Sequence, residues 1–148
     1  MEATPKSPTR EPSGRTADAL RAHGYRATAQ RLVIQRVLEE SGRHLSAEDL
    51  RRLAGERLPA LSLPTVYAAL EALEDAGLVR RISAGRDRAL FDARPTDHHH
   101  LACRRCGAVE DVGADARLEA VLAAAARRGF APDGAEVVVH GLCARCRG

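Results

Sequence analysis

The fold is decided by residues 62–93, SLPTVYAALEALEDAGLVRRISAGRDRALFDA, in which a helical pattern gives way to two short strand patterns. Ser62 stands where a helix cap is expected, Pro64 falls in the first helical turn, and Gly77 is typical of a helix terminator. The apolar positions recur at helical spacing and are predicted to face inward: Val66, Leu70 and Leu73. The segment therefore predicts a helix that leads directly into strands.

Two strands are predicted at 78–83 and 88–93, on either side of a glycine-containing turn, and together they indicate a β-hairpin. Three further helical patterns precede this segment. They run from a Thr16 cap to Gly24, from a Thr28 cap to Gly42, and from Ser46, where an acid three residues later resembles a capping box. Three or four short helices followed by a hairpin match a winged helix-turn-helix domain, the helix-turn-helix variant with a β wing.

A second unit is predicted after Arg94-Pro95-Thr96. Its strands are expected at 98–103, 107–112 and 135–143, with a helix at 114–129. One side of this helix is expected to carry the apolar residues Leu118, Val121, Leu122 and Ala125. About 50 residues are too few to be stable without a metal ion or a partner chain. The predicted organisation is α+β: a disordered tail at 1–15, a winged-helix DNA-binding domain at 16–93, a hinge at 94–97 and a small α/β metal-binding unit at 98–148.

The bulk composition narrows the class of protein. A net charge of +3 over 148 residues argues only weakly for a nucleic-acid partner. No run of about 18 apolar residues predicts a membrane span, and the first residues lack the apolar core of a signal peptide. We therefore expect a cytoplasmic protein, in which thiols stay reduced.

All four cysteines fall in two Cys-x-x-Cys pairs, Cys103/Cys106 and Cys143/Cys146. Paired knuckles of this kind are typical of a tetrahedral four-thiolate zinc site. Such a site has no open coordination position, so it is predicted to be structural rather than catalytic. The alternative is four free or redox-active cysteines.

A second ligand set is predicted near the histidine run. His98 and His100 are two residues apart on a predicted strand and therefore share a face, whereas His99 points away. If the strands fold back symmetrically about the first cysteine pair, position 98 lies opposite Asp111, and Asp92 lies just upstream. Two imidazoles and two carboxylates without sulfur suit Fe²⁺, Mn²⁺ or Zn²⁺. The alternative is a solvated polar run.

With these motifs together, the chain resembles the ferric uptake regulator family of bacterial repressors over about residues 16–147. The resemblance rests on the combination of GYRATAQR (24–31), HLSAEDL (44–50), LPTVYAALEALEDAGLV (63–79), FDARPTDHHHLACRRCG (91–107) and GLCARC (141–146). It implies a winged-helix DNA-binding domain, a short hinge and an α/β dimerisation domain. It also implies structural zinc on the four cysteines, a homodimer and double-stranded DNA with a palindromic operator as the partner.

Within the family, the ligand spacing is most similar to that of the peroxide-responsive repressors. This resemblance implies a regulatory Fe²⁺ or Mn²⁺ site on His44, Asp92, His98, His100 and Asp111. For His44 the alternative is a surface residue that caps the next helix. The residues expected to contact DNA are Thr65 and Tyr67 at the groove and Arg21, Arg26, Arg31 and Arg86 at the phosphates, although each arginine could equally lie on a solvated face.

The expected function is a metal-dependent repressor that senses peroxide, with no catalytic residues. One alternative is an iron- or zinc-responsive repressor of metal uptake without peroxide sensing. Two further alternatives are a metallohydrolase and a zinc-ribbon adaptor that binds protein. Ala68 and Pro64 depart from the usual recognition-helix pattern of the family and leave the operator sequence open. His99 and His140 receive no role.

Overall fold

In a computed structural model the chain divides into two compact units, which are described separately. The first comprises residues 1–82 and 90–94, and the second comprises residues 83–89 and 95–148. The structure describes residues 12–84, 88–93, 98–113, 117–132 and 134–148. Tail residues 1–11, the predicted hinge 94–97 and the wing residue Arg86 lie outside the described residues. The predicted domain boundaries therefore stay predictions.

Four helices make up most of the first unit: α1 (Pro12–Ala22), α2 (Ala29–Ser41), α3 (Ala47–Gly55) and α4 (Leu63–Asp75). The three predicted caps of α2, α3 and α4 are confirmed, because Thr28, Ser46 and Ser62 each accept a hydrogen bond from the backbone N–H three residues later. Gly42 ends α2 in the left-handed conformation, with φ of 57°, which a residue without Cβ adopts at little cost.

The predicted start of α1 at Thr16 is wrong. The helix begins at Pro12, and Thr16 lies inside it with 3% of its surface exposed. Residues 12–15, predicted to belong to the tail, form the first turn. Proline is well suited to this position because its fixed φ fits the helix and its missing N–H would have no helical partner there.

A two-stranded sheet of β1 (Arg80–Ala84) and β2 (Arg88–Asp92) follows α4 and confirms the predicted hairpin. The segment before α3 adds to this sheet through an antiparallel bridge between Leu45 and Phe91. The two residues exchange both backbone hydrogen bonds, at 3.0 and 2.8 Å. This bridge fixes the residues on either side of Leu45 against the end of β2.

The hydrophobic core lies in the first unit. Among the described residues, the large apolar side chains with less than 2% exposure all belong to it: Phe91, Leu20, Ile34, Leu38, Leu50, Leu70, Leu73, Ile82 and Val66. Leu20 and Ile34 come from α1 and α2, Leu50 from α3, and Phe91 from the wing. The helices and the wing therefore share one core.

The second unit holds a three-stranded sheet, helix α5 (Glu119–Arg127) and the short helix α6 (Ala144–Arg147), which the sequence did not predict. The strands are β3 (His99–Cys103), β4 (Val109–Val112) and β5 (Val138–Gly141), in the order β4-β3-β5. β3 pairs antiparallel with β4 and parallel with β5. No helix within the described ranges has the length and apolar character needed to cross a membrane.

This unit buries little apolar surface by itself. None of the described residues of α5 is buried, and Val121, on the predicted apolar side of this helix, is 62% exposed. Phe130, just after α5, is 71% exposed. On the sheet, Leu101 and Val139 are direct neighbours and are 39% and 51% exposed. The sequence predicts that this unit needs a metal ion or a partner chain, and the shallow core is consistent with that prediction.

Candidate metal centres and DNA-binding helix

The four cysteines of the second unit converge on one point. Cys103 ends β3 and Cys106 follows in the next turn, while Cys143 precedes α6 and Cys146 lies within it. Pairing of Cys103 with Gly141 brings the end of β5, and so the second pair, alongside the first. The four Sγ atoms all lie within 4.8 Å of one another.

The spacing of the sulfur atoms fits a shared ion better than a disulfide. The Sγ atoms of Cys106 and Cys143 are 3.8 Å apart, whereas a disulfide bond is about 2.05 Å. A tetrahedral zinc ion with bonds of about 2.3 Å separates its sulfur ligands by about 3.8 Å. The cluster therefore fits the predicted structural zinc site.

Backbone N–H groups prepare two of these sulfur atoms to be thiolates. Hydrogen bonds from the backbone of Cys106 and Cys143 lower the pKa of Cys103 to about 5, and the Cys143 N–H lies 3.4 Å from its sulfur. The backbone N–H of Cys146 likewise lowers the pKa of Cys143. The side-chain hydrogen bond with Cys143 instead raises the pKa of Cys146 to about 12. A divalent cation removes this conflict, because it stabilises all the thiolates together.

The second ligand group of this unit consists of His98, His100 and Asp111. The Oδ1 atom of Asp111 lies 3.4 Å from His98 Nε2 and 3.5 Å from His100 Nε2. The two imidazole rings meet edge to face, with centroids 4.5 Å apart. His100 is fully buried, and the side chains of His98 and Asp111 are 12% and 25% exposed. One carboxylate oxygen thus faces two imidazole nitrogens at a partly enclosed site.

The predicted register of the two strands is wrong by two residues. His100, not His98, lies opposite Asp111, and His99 lies opposite Val112. Because side chains alternate with a period of two, this shift leaves Asp111 on the face of His98 and His100. His99 lies on the other face, as predicted, and its Nδ1 accepts a hydrogen bond from the Val137 N–H at 3.1 Å.

In the first unit, His44 and Asp92 form a pair. The backbone bridge between Leu45 and Phe91 sets His44 beside Asp92, and His44 Nε2 lies 3.4 Å from Asp92 Oδ2. Both side chains are buried, at 7% and 4% exposure. The alternative of a solvated surface histidine is therefore not supported.

The three N···O distances are longer than hydrogen bonds of about 2.7–3.2 Å. Ligand atoms bonded to one ion at about 2.1 Å are separated by about 3.0 Å at right angles and about 3.4 Å at the tetrahedral angle. Separations of 3.4 to 3.5 Å therefore fit ligands of a metal ion within each group taken by itself. The donors are imidazole nitrogen and carboxylate oxygen without sulfur, which suits Fe²⁺, Mn²⁺ or Zn²⁺.

The predicted DNA contacts lie on two parts of the first unit. Tyr67 of α4 is 46% exposed, and the hydroxyl of Thr65 lies 2.8 Å from that of its cap, Ser62. Arg26 is exposed, and Arg21 is also exposed, 3.8 Å from Asp18. Arg86, the remaining predicted contact, falls outside the described residues.

Arg31 is more engaged than the sequence predicts. It donates to the backbone carbonyl of Arg26 at 2.7 Å and lies over the ring of Tyr25, 5.2 Å from its centroid. The Tyr25 hydroxyl donates to Asp75 at the end of α4, and this bond raises the pKa of Tyr25. This link between the segment leading into α2 and the end of α4 was not predicted from the sequence, where the only related signal is that Tyr25 is adjacent to Arg26.

Comparison with known proteins finds similarity to one family of regulators. The model of the ferric uptake regulator family matches residues 22–140. The ferric uptake regulation protein of Bacillus subtilis (strain 168) is 38% identical over 135 residues, covering 87% of this chain and 90% of the relative. The peroxide operon regulator of the same organism is 30% identical over 129 residues, covering 87% and 89%.

A solved structure of a zinc uptake regulator complexed with zinc and DNA is 30% identical. It has a TM-score of 0.64 and covers 96% of this chain and 97% of that one.

The helices, the wing and the two kinds of ligand cluster define a metal-dependent DNA-binding regulator with a winged-helix unit and an α/β metal-binding unit. The chain belongs to the ferric uptake regulator family. Its members are dimeric transcriptional regulators and not enzymes, which sets the metallohydrolase alternative aside. The predicted family and fold class are thereby confirmed.

Proposed function

We propose that this repressor senses peroxide through a regulatory Fe²⁺ or Mn²⁺ ion bound by ligands from both units. The proposed ligands are His44, Asp92, His98, His100 and Asp111. The observation that carries the proposal is the oxygen of Asp111 that faces the imidazole nitrogens of His98 and His100 at 3.4 and 3.5 Å.

The pair of His44 and Asp92 supplies the second half of the proposed site. A single ion bound by all five ligands requires one relative orientation of the two units. An ion that binds this orientation about 10⁴-fold more tightly than the others shifts its population from about 1% to about 99%. We infer that this orientation sets the two winged helices of a homodimer to match one palindromic operator.

The zinc ion is assigned a structural role on Cys103, Cys106, Cys143 and Cys146. The four sulfur atoms use every position of a tetrahedral ion, so no position remains for a substrate. Zinc would tie the end of β3 to α6 in a unit that has little apolar core of its own. Loss of zinc is therefore expected to unfold this unit.

DNA contact is assigned to the first unit. Thr65 and Tyr67 are proposed to lie in the major groove, since the second helix of a helix-turn-helix reads base edges with its N-terminal residues. Arginines outside α4 are proposed to contact phosphates, and their contribution should fall with salt: Arg21, Arg26, Arg31 and Arg86. A DNA-binding repressor of this kind is expected to work in the cytoplasm.

Peroxide sensing is proposed to end in oxidation of a ligand. Bound Fe²⁺ would supply the redox chemistry that activates hydrogen peroxide. The O–O bond breaks, one oxygen is added to an imidazole carbon of His44 or His98, and the other leaves as water. An oxidised imidazole is a poorer ligand, so the two units lose their common link and the operator is released.

An iron- or zinc-responsive repressor without peroxide sensing is the alternative. It is favoured by the higher identity to the ferric uptake regulation protein of Bacillus subtilis, 38% against 30% for its peroxide operon regulator. The absence of a spare cysteine near the regulatory ligands argues mildly against zinc sensing. Intrinsic affinity favours Zn²⁺ over Fe²⁺ and Mn²⁺, so the metal available in the cell decides which ion binds.

Metal-dependent DNA binding tests the proposed site. The zinc-loaded homodimer is titrated onto a fluorescent operator duplex with and without Mn²⁺, and the anisotropy is measured. His44→Ala should weaken Mn²⁺-dependent binding at least about 10-fold, as even loss of an outer-shell partner of a metal ligand costs 10–100-fold. The matched control is His23→Ala, which removes an exposed imidazole of the same unit that lies just after α1 and bonds to the backbone carbonyl of Ala19. Equal binding by both variants would contradict the proposal.

Mass spectrometry separates the peroxide sensor from its alternative. The Fe²⁺-loaded protein is treated with hydrogen peroxide, digested and compared with the Zn²⁺-loaded protein, because Zn²⁺ has no redox chemistry. Peroxide sensing predicts the mass of one added oxygen atom on the peptide of His44 or His98 in the Fe²⁺ form only. Unmodified peptides together with retained DNA binding would leave a metal sensor.

A further inference from the structure

The exposed face of α4 has an unusual composition for a helix that reads DNA. Its exposed residues in the first turns are Pro64, Tyr67, Ala68 and Glu71, and Thr65 is half-buried. The N-terminal residues of a recognition helix approach the base edges most closely. These side chains therefore determine what α4 can recognise in the major groove.

No residue of α4 can read a purine with two hydrogen bonds. Bidentate contacts to guanine need Arg or Lys, and those to adenine need Asn or Gln, but α4 (LPTVYAALEALED) contains none of these four types. The hydroxyl of Thr65 is engaged with that of Ser62 at 2.8 Å. The bidentate route to purine recognition is thus closed on this helix.

The charge of α4 also limits what this helix can contact on DNA. Its ionisable carboxylates are Glu71, Glu74 and Asp75, with no basic residue to balance them. A helix of this charge gains nothing from the phosphates, so phosphate contacts must come from other elements. Apart from the hydroxyl of Tyr67 and the carboxylate of Glu71, the exposed surface that α4 offers to the groove is apolar: the methyl group of Ala68 next to the ring of Tyr67.

We propose that Ala68 is a specificity-determining residue that reads the 5-methyl group of thymine in each half-site. An alanine methyl group in contact with a thymine methyl group is an established form of direct readout in the major groove. The inference rests on the proposed role of α4 as the recognition helix. Glu71, one turn later, offers only acceptors, for which the amino group of cytosine is the partner.

Substitution of thymine by uracil tests the proposal, since it removes only the methyl group. An operator is first selected from random duplexes by the wild-type Mn²⁺-loaded homodimer. Each thymine is then replaced by uracil in both half-sites, and binding is measured by anisotropy. One buried methyl group corresponds to about a fourfold loss of affinity, so two half-sites should give about a 15-fold loss at one symmetric thymine pair.

Three variants connect this effect to the side chain. Ala68→Ser converts the methyl group into a polar hydroxymethyl group and should make thymine and uracil duplexes equivalent at that pair. Ala68→Arg should change the base selected at that position to guanine. Ala22→Ser, at the exposed end of α1, is the matched control and should keep the 15-fold difference. Zinc content and thermal midpoint are measured for each variant, so that misfolded protein is recognised.

Each possible outcome either supports or overturns the reading of thymine by Ala68. Loss of the uracil effect in Ala68→Ser, with retention in Ala22→Ser, supports the proposal. A uracil effect below about 1.5-fold at every thymine, or of equal size in Ala68→Ser, overturns it. Should either Ala68 variant misfold, the wild-type uracil scan alone decides. If the wild-type homodimer selects no duplex, the assigned role of α4 fails and the reading by Ala68 fails with it.

Discussion

The capping box of α3 allows a stability prediction of defined size. Ser46, with 1% exposure, accepts a hydrogen bond from the Asp49 N–H at 3.1 Å and donates its hydroxyl to Asp49 Oδ2 at 2.8 Å. Ser46→Ala removes the cap, which costs about 1 kcal/mol. It also deprives a partly buried carboxylate of a partner, which costs about 1 kcal/mol more. We expect the free energy of unfolding of the first unit to fall by about 2 kcal/mol.

Ser62→Ala is the matched comparison. Ser62 is exposed, and its oxygen accepts from the Thr65 N–H at the longer distance of 3.4 Å, so its removal should cost about 0.5 kcal/mol. For a unit of this size about 1 kcal/mol lowers the thermal midpoint by about 4–8 °C. Calorimetry should therefore show a decrease of about 8–16 °C for Ser46→Ala and about 2–4 °C for Ser62→Ala, with bound zinc unchanged. A loss for Ser46→Ala no greater than for Ser62→Ala would show that the buried capping box contributes no more than an exposed cap.

Three further predictions concern a pH effect, the zinc site and the exposed sheet. Because its hydrogen bond to Asp75 raises the pKa of Tyr25, the protonated hydroxyl stabilises the folded state. The stability difference between wild type and Tyr25→Phe should be constant below the usual tyrosine pKa and should vanish as the pH rises through the raised pKa. Urea titrations at several pH values measure this difference, and a difference that grows with pH would contradict the prediction. Cys106→Ser should release zinc to a colorimetric chelator and unfold the second unit, whereas zinc retention at one ion per chain would exclude four-sulfur ligation. Val139→Lys should weaken the homodimer at least about 10-fold in sedimentation equilibrium, because Val139 is 51% exposed beside Leu101; an unchanged dimer would place the interface elsewhere.

Local signals predicted the helices well. The caps at Thr28, Ser46 and Ser62 act within one turn, so their sequence positions suffice to identify them. The start of α1 was missed because a threonine at a suitable position looks like a cap, although Thr16 is buried inside the helix. The preference of proline for the first helical position was the better signal.

The candidate site was predictable to the extent that it is local. The face shared by His98, His100 and Asp111 followed from strand alternation, which tolerates the observed shift of two residues but would not tolerate one. His44 had no local signal, because its position beside Asp92 depends on the bridge between Leu45 and Phe91, far apart in the chain. Only the resemblance to a family supplied it.

The proposed mechanism requires one regulatory ion that binds ligands of both units at once. Anomalous diffraction at the manganese edge, from crystals of the Mn²⁺-loaded homodimer bound to its operator, tests this most directly. We expect one manganese per chain, with all five proposed ligands within a coordination distance of about 2.0–2.3 Å: His44, Asp92, His98, His100 and Asp111. A manganese bound by His98, His100 and Asp111 alone, with the imidazole of His44 in solvent, would contradict it.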